Sequence, residues 1–117
     1  MFKNYYIVLF FSLTLFVHAD HSAYQNEITH LLKYVENTSC FYVRNGDKHT
    51  GKSAREHIEK KYDYYKEDIH STEDFIRLSA SKSTLSGSPY YIECQNKPKI
   101  KSEKWLLSEL KRYRTQQ

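Results

Sequence analysis

The hydrophobic and polar positions of the chain change their spacing several times, and each change predicts a new element. Residues 22–37 place apolar side chains at helical spacing, with Ser22 available as an N-cap. Residues 40–44 then alternate between two sides, as a strand does, and the turn pair Asn45-Gly46 follows them. The pattern therefore predicts one helix, one strand and a turn in this part of the chain.

Helical spacing returns after the turn. A second helix is predicted from Thr50 or Gly51, either of which can serve as its N-cap. A third helix is predicted after Ser71, because Ser71 and Asp74 fit a capping box. The apolar stripe of the second helix consists of Ala54, Ile58, Tyr62 and Tyr65.

The last third of the chain returns to a strand and ends in a helix. A serine-rich connector, residues 79–89, leads to residues 90–94, which alternate as a strand does. Residues 102–114 form an amphipathic pattern behind Ser102, a predicted N-cap. The order α-β-α-α-β-α predicts an α+β domain, in which about four helices pack on a small antiparallel sheet of roughly two or three short strands.

The first 19 residues have the features of a secretory signal peptide. One cation, Lys3, precedes an apolar run from Tyr5 to Val17, and the small residue Ala19 follows it. The run is too short to cross about 30 Å of hydrocarbon comfortably, and no cationic stop comes after it. We therefore expect cleavage after Ala19, a single domain over residues 20–117, and a periplasmic or secreted location.

Cysteine use agrees with export. Removing residues 1–19 from the 117-residue chain leaves 98 residues, which include both cysteines, Cys40 and Cys94. In an oxidising compartment two such cysteines are more often a disulfide than two free thiols. If the two predicted strands pair antiparallel, Cys40 lies beside Cys94. The sequence therefore predicts one disulfide, which would stabilise the domain by about 4 kcal/mol in the chain-entropy model.

The charge of the exported part is nearly balanced. Without Lys3 it holds 17 Lys and Arg against 14 Asp and Glu, a net charge of +3. The excess is concentrated after residue 96, where seven cations accompany two carboxylates. A solvated helix face explains such a segment more often than nucleic acid does, so no nucleic acid partner is predicted. The only membrane contact that the sequence suggests is through this basic C-terminal helix.

Residues 46–53, GDKHTGKS, have the spelling of a phosphate-binding loop. A predicted strand precedes them and a predicted helix follows, as in a real site. However, the chain has no second apolar strand ending in an acidic metal ligand, and 98 residues cannot build the parallel sheet that such a site needs. We therefore predict no nucleotide, and interpret Gly46 as part of the turn and Gly51, Lys52 and Ser53 as the exposed start of the second helix.

Other motifs that resemble catalytic or metal sites give equally weak evidence for such a site. Ser79 and Lys82 fit the S-x-x-K of penicillin-recognising enzymes, but Ser79 falls near the end of a helix and the partner motifs are absent. The histidines lack a metal-ligand spacing, so no metal and no cofactor are predicted. His57, beside the apolar stripe of the second helix, is expected to be partly buried and hydrogen-bonded to the backbone.

Several segments together resemble the YfeK-like family of small exported proteins of Gram-negative bacteria. The resemblance covers nearly all of the chain after residue 19 and includes FYVRNGDKHT at residues 41–50 and SASKSTLSGSPY at residues 79–90. Family members carry a domain of unknown function, so the resemblance implies export and a shared fold but no catalytic residues. Its most specific positions are Arg44, Asn45, Gly46, Ala54, His57, Lys61, Phe75, Ile76, Ser83, Ser86, Gly87 and Tyr90.

These observations favour a non-enzymatic binding or accessory protein of the cell envelope. Binding residues often lie on loops that a rigid scaffold holds in place. The partner would be an unknown protein or an anionic envelope component, reached through the turn at residues 44–46 and the loop at residues 82–90. Tyr64 and Tyr91, opposite the predicted core, are further interface candidates. The predicted contact residues are Arg44, Asn45, His57, Lys82, Ser83, Ser86, Gly87 and Tyr90.

Two alternatives stay open at the level of sequence. A small periplasmic hydrolase would use His57 with Ser83 or Ser86 as its nucleophile. An inhibitor of a lysozyme-type hydrolase would use residues 86–90, SGSPY, which echo the S-G-x-x-Y loop of some bacterial lysozyme inhibitors, although those proteins are all-β.

Overall fold

The computed structural model describes residues 21–117, with side chains from residue 24 onward. The predicted signal peptide over residues 1–19 and its cleavage site lie outside the described residues. Within the described part, none of the helices combines the length and the apolarity of a membrane span. The helices are α1 (His21–Glu36), α2 (Gly51–Tyr64), α3 (Thr72–Ser79) and α4 (Ser102–Thr115), with one turn of 3-10 helix at Lys66–Asp68. The strands are β1 (Phe41–Arg44), β2 (Asp47–His49), β3 (Tyr91–Glu93) and β4 (Ile100–Lys101).

These strands form one antiparallel sheet in the order β2-β1-β3-β4. In the central pair, Phe41 of β1 lies opposite Glu93 of β3, so the residues just outside the pair, Cys40 and Cys94, are neighbours. A disulfide joins these two cysteines. The predicted α+β class, the antiparallel pairing and the cross-link are therefore confirmed.

The sequence pattern predicted neither edge strand of this sheet, β2 or β4. Asn45 and Gly46 have φ angles of +50° and +84°, so both central residues of the turn are left-handed, as a tight two-residue hairpin requires. The turn leads directly into β2, whose sequence, DKH, offers no apolar alternation. Strand β4 has only two residues. The predicted order α-β-α-α-β-α therefore lacks two short edge strands.

The helices cover one face of the sheet. Tyr42 and Ile92 lie opposite each other in β1 and β3, and both side chains are buried on this face. Their neighbour Phe41 points to the other face and is 44% exposed. Each helix contributes apolar positions at the spacing that its sequence predicted. The core consists of Ile28, Leu31, Val35, Tyr42, Ala54, Ile58, Ile69, Phe75, Ile76, Ala80, Tyr90, Ile92, Leu106 and Leu110.

Side-chain caps fix the starts of two helices. At the start of α2 the Thr50 hydroxyl oxygen accepts a hydrogen bond from the Ser53 amide at 3.2 Å. At the start of α3 the Ser71 hydroxyl oxygen accepts from the Asp74 amide at 3.0 Å, and the Asp74 carboxylate accepts from the His70 amide at 3.1 Å. Each cap satisfies donors that the first helical turn leaves open, and the predicted caps at Thr50 and Ser71 are confirmed.

The other two predicted caps are wrong. Helix α1 already includes His21, so Ser22 lies inside the helix. Ser102 is the first residue of α4 and is fully buried, and its hydroxyl donates to the Ala80 carbonyl oxygen at 2.8 Å. A buried serine that ties two segments together has the same sequence signature as a cap, so the pattern could not separate the two roles.

Gly51 is buried at the start of α2, which corrects the prediction that it is exposed. A Cβ atom at this position would lie 2.2 Å from the carbonyl oxygen of Val35 and 2.8 Å from that of Glu36. The last turn of α1 therefore approaches α2 so closely that only glycine fits. Lys52 and Ser53, the next residues, are exposed as predicted. This glycine of the phosphate-loop spelling thus has a packing role.

Candidate functional site

Two cationic side chains meet over one aromatic ring where β1 ends, and a third is close enough to affect the pKa of one of them. Arg44 is the last residue of β1, Lys61 lies in α2, and Lys82 begins the loop that leads to β3. The Arg44 guanidinium carbon and the Lys61 ammonium nitrogen lie 6.0 and 5.2 Å from the centroid of the buried Tyr90 ring, within the range of cation-π contacts. The Lys61 ammonium also donates to the Lys82 carbonyl oxygen at 2.6 Å. We call Arg44, Lys61 and Lys82 the cationic cluster.

No carboxylate of the described residues neutralises the cationic cluster. None of the ion pairs within residues 24–117 includes Arg44, Lys61 or Lys82. Each of the other arginines in this range, by contrast, pairs with at least one carboxylate. The Arg44 Nε atom is buried and has no acceptor among these residues. Because buried donors are almost always paired, an unpaired one at this position is unusual, and it marks Arg44 as a side chain whose hydrogen bonding the fold does not complete.

The pKa of Lys61 is lowered because its surroundings in the cluster disfavour the charged ammonium. Burial lowers this pKa below its ordinary value, and the charges of Arg44 and Lys82 lower it further. An anion bound among the three cations would act in the opposite direction, because it favours the charged ammonium.

His57 lies beside the cationic cluster and is uncharged at neutral pH. Burial, followed by the charges of Arg44, Lys61 and His49, lowers its pKa to about 4. Its Nε2 atom lies 3.4 Å from the Tyr90 hydroxyl oxygen. The side chain is partly buried, as predicted, but the expected hydrogen bond to the backbone is wrong, since the partner is the tyrosine hydroxyl.

The loop that begins at the cationic cluster folds back on itself. The Ser83 amide donates to the Ser88 carbonyl oxygen and the Gly87 amide donates to the Ser83 carbonyl oxygen, both at 2.9 Å. Gly87 has a φ of +73°, which glycine adopts without strain. The Ser86 hydroxyl donates to the Asn45 side-chain oxygen at 3.2 Å and ties the loop to the turn between β1 and β2. The turn and the loop that the sequence singled out therefore meet.

The residues predicted to contact a partner fall into two groups with different positions. One group consists of Tyr90, the side chains in contact with it and the nearby charge of Lys82, and the other fixes the shape of the loop and the turn. The first group consists of Arg44, His57, Lys82 and Tyr90. The second group consists of Asn45, Ser83, Ser86 and Gly87.

Two further members of the site were not predicted as contact residues. Lys61 lies four residues after His57, so both side chains share one face of α2, and this spacing was the signal that could have found it. His49 of β2 has a buried Nε2 atom with no hydrogen-bond partner among the described residues, and it helps to lower the pKa of His57. His49 could not be found, because β2 itself was not predicted.

A pairing of histidine with serine, as the hydrolase alternative needs, is not among the hydrogen bonds of residues 24–117. His57 faces the tyrosine hydroxyl, the Ser86 hydroxyl donates to the turn, and the Ser83 hydroxyl oxygen accepts from the Ser86 amide at 3.3 Å. Ser79, the serine of the S-x-x-K spelling, is fully buried at the end of α3, where no substrate can reach it.

The fold and the site define a small disulfide-linked α+β domain with an unpaired cationic cluster beside a folded loop. The chain belongs to a family of unknown function (DUF5329), whose profile matches residues 22–114. No curated protein and no solved structure matches the chain. Since the family brings no activity, the function has to be argued from the geometry of the site.

Proposed function

We propose that the chain is an exported, non-enzymatic binding protein of the cell envelope, whose cationic cluster receives an anionic group of a partner. The observation that carries this proposal is Arg44. It is the one arginine of residues 24–117 that pairs with no carboxylate, and its buried Nε atom has no acceptor there. An anion at the cluster would accept hydrogen bonds from Arg44 and Lys61, and hydrogen bonds between charged partners are roughly twice as strong as neutral ones.

Export is the finer part of the proposal. The disulfide between Cys40 and Cys94 is typical of oxidising compartments, and the sequence before residue 20 has the features of a signal peptide. The resemblance to YfeK-like proteins points to the periplasm of a Gram-negative bacterium. The anionic group would there belong to an envelope protein or to another envelope component.

Neither rival function has an observation in its favour. A hydrolase would need His57 to take a proton from a serine, but its Nε2 atom faces the Tyr90 hydroxyl. An inhibitor of the lysozyme-inhibitor kind would present residues 86–90 to its target, but the Ser86 hydroxyl and the Gly87 amide already bond within the fold.

Titration with sodium sulfate, followed by NMR at constant ionic strength, tests the proposal. We expect sulfate to shift the signals of Arg44, Lys61 and His57, because a dianion binds best where unpaired cations meet. Arg44→Gln should remove most of these shifts. The matched control, Lys104→Gln, changes an exposed lysine of α4 that lies in no ion pair of the described residues, and it should respond as the wild type does.

Replacing sulfate by chloride distinguishes binding at a specific anion site from general screening of charges by salt. If chloride at equal ionic strength gives the same shifts, or if Arg44→Gln responds to sulfate as the wild type does, the cationic cluster is not an anion site and the proposal fails.

A further inference from the structure

Exposed apolar side chains adjoin the cationic cluster. Leu85, at the tip of the loop, is 100% exposed, and Tyr64, at the end of α2, is 80% exposed. The other exposed large hydrophobic residues between residues 24 and 117 are between 38% and 44% exposed, so these two stand apart. We call Tyr64, Tyr65, Thr84 and Leu85 the tip patch.

The tip patch and the cationic cluster form one continuous surface. The Tyr65 hydroxyl lies 3.2 Å from the Thr84 hydroxyl oxygen, and the Tyr64 and Tyr65 rings meet edge to face with centroids 4.8 Å apart. Lys61 precedes Tyr65 by one helical turn and reaches the loop at the Lys82 carbonyl oxygen. Lys61 and Tyr65, one helical turn apart, therefore both reach the loop, Lys61 at Lys82 and Tyr65 at Thr84.

The loop holds Leu85 in a defined place. Backbone hydrogen bonds join Ser83 to Ser88 and Gly87 to Ser83, and the Ser83 side chain accepts from the Ser86 amide. An isolated bridge between Lys82 and Pro89 closes the base of the loop. A partner that covers Leu85 would therefore lose little free energy in ordering the loop, which favours binding.

We infer that the tip patch and the cationic cluster together bind a polypeptide segment that carries a carboxylate next to an apolar side chain. This inference rests on the proposed function, since the carboxylate is the anionic group that the cluster would receive. The unpaired charges of Arg44 and Lys61 supply the complementarity for an acidic residue. Leu85 and Tyr64 supply the apolar contact, and interfaces favour such a centre with arginine and tyrosine around it.

A membrane surface fits the same residues less well. Lys61 and Arg44 are only partly exposed, and both lie against the Tyr90 ring, which is 3% exposed. Lipid headgroups arranged in a plane reach protruding side chains first, as Leu85 protrudes here. An acidic side chain that projects from a peptide can extend past the exposed Leu85 to the half-buried Arg44 and Lys61. The partial burial of Arg44 and Lys61 therefore favours a polypeptide.

Selection from a library of short random peptides tests the inference, followed by fluorescence anisotropy with the selected peptide. We expect the selected sequences to place Asp or Glu within a few positions of Leu, Phe or Trp. Leu85→Ser should weaken binding of the labelled peptide about tenfold, because it removes most of the exposed leucine surface that the bound peptide would cover. Leu107→Ser is the matched control, since Leu107 is a 40% exposed leucine on α4, and it should bind as the wild type does.

Sulfate binding distinguishes a failure of this inference from a failure of the proposed function. Leu85→Ser should still bind sulfate as the wild type does, whereas Arg44→Gln should lose both sulfate and peptide. Selected peptides without acidic residues, or unchanged peptide affinity in Leu85→Ser, would overturn the inference, and retained sulfate binding would leave the proposed function standing. Flotation with vesicles of equal parts phosphatidylcholine and phosphatidylglycerol that depends on Leu85 would also overturn it, because the occupant would then be a membrane.

Discussion

Replacing Gly51 by alanine probes the close contact between the start of α2 and the end of α1. The added Cβ would lie 2.2 Å from the Val35 carbonyl oxygen and 2.8 Å from the Glu36 carbonyl oxygen, and real Cβ atoms essentially never approach within 3.0 Å. Both obstacles are backbone atoms, which cannot rotate away as a side chain can. The start of α2 would have to move away from the end of α1.

The packing around Gly51 sets how much of the free energy of unfolding this movement would cost. Overpacking a well-packed site typically costs about 1–3 kcal/mol, and two backbone obstacles place Gly51→Ala toward the upper end. The buried side chains of Val35 and Ala54 flank the contact and would lose packing as well. Alanine recovers up to about 1 kcal/mol through its higher helix propensity. We expect a net loss of about 2 kcal/mol, or roughly 8–16 °C in Tm for a domain of this size.

Urea unfolding followed by Trp105 fluorescence and far-ultraviolet circular dichroism measures this loss. Lys52→Ala is the control, because Lys52 is the exposed next residue of the same GDKHTGKS segment and should change stability by less than about 0.5 kcal/mol. A Gly51→Ala variant as stable as the wild type would refute the close approach of α1 and α2. A Lys52→Ala variant that lost as much stability would refute the claim that this lysine is a solvated surface residue.

Four other perturbations have defined outcomes. Ser102→Ala should cost about 1 kcal/mol, because it removes one of the two hydrogen bonds to the Ala80 carbonyl oxygen, which still accepts from the Tyr42 hydroxyl. Ser79→Ala should be neutral or stabilising, because that buried hydroxyl has no partner among the described residues; urea unfolding of both variants checks this. Arg114→Gln should lower the free energy of unfolding by about 1 kcal/mol at pH 7, since Arg114 holds the pKa values of Glu27 and Glu73 below their ordinary range. The difference in stability from the wild type should shrink as the pH falls below about 4, because both carboxylates then take up protons. Reducing the disulfide should lower the free energy of unfolding by about 4 kcal/mol, which unfolding with and without reductant measures.

The sequence pattern located the elements that have enough residues to show a period. Four helices and the two central strands were found this way, and the alternation around Cys40 and Cys94 was enough to predict their disulfide. Strands β2 and β4 have three residues and two residues, too few for an alternation to be seen. Gly51 was misplaced because its role depends on the end of α1, which the local sequence around Gly51 does not contain.

The candidate site was predictable only in part, because the residues that pair with a charge can lie far from it along the chain. Arg44 was singled out by the turn that follows it, but its lack of a carboxylate is informative only because the other arginines have one. Arg114, for example, reaches Glu27, which is 87 positions earlier in the chain. Which charges remain unpaired is therefore a property of the whole fold, and periodicity carries no information about it.

The pKa of the His57 imidazole, followed by NMR with and without sulfate, tests the central claim that the cationic cluster is a site for an anion. In the free protein we expect a pKa far below the ordinary 6.5, mainly through burial and then through Arg44 and Lys61. Sulfate should raise this pKa in the wild type, because a bound anion offsets the cations that disfavour protonation, and by linkage sulfate should bind more tightly at lower pH. In Arg44→Gln the starting pKa should already be higher and sulfate should change it little. A pKa near 6.5 that does not respond to sulfate would show that the cationic cluster does not bind an anion.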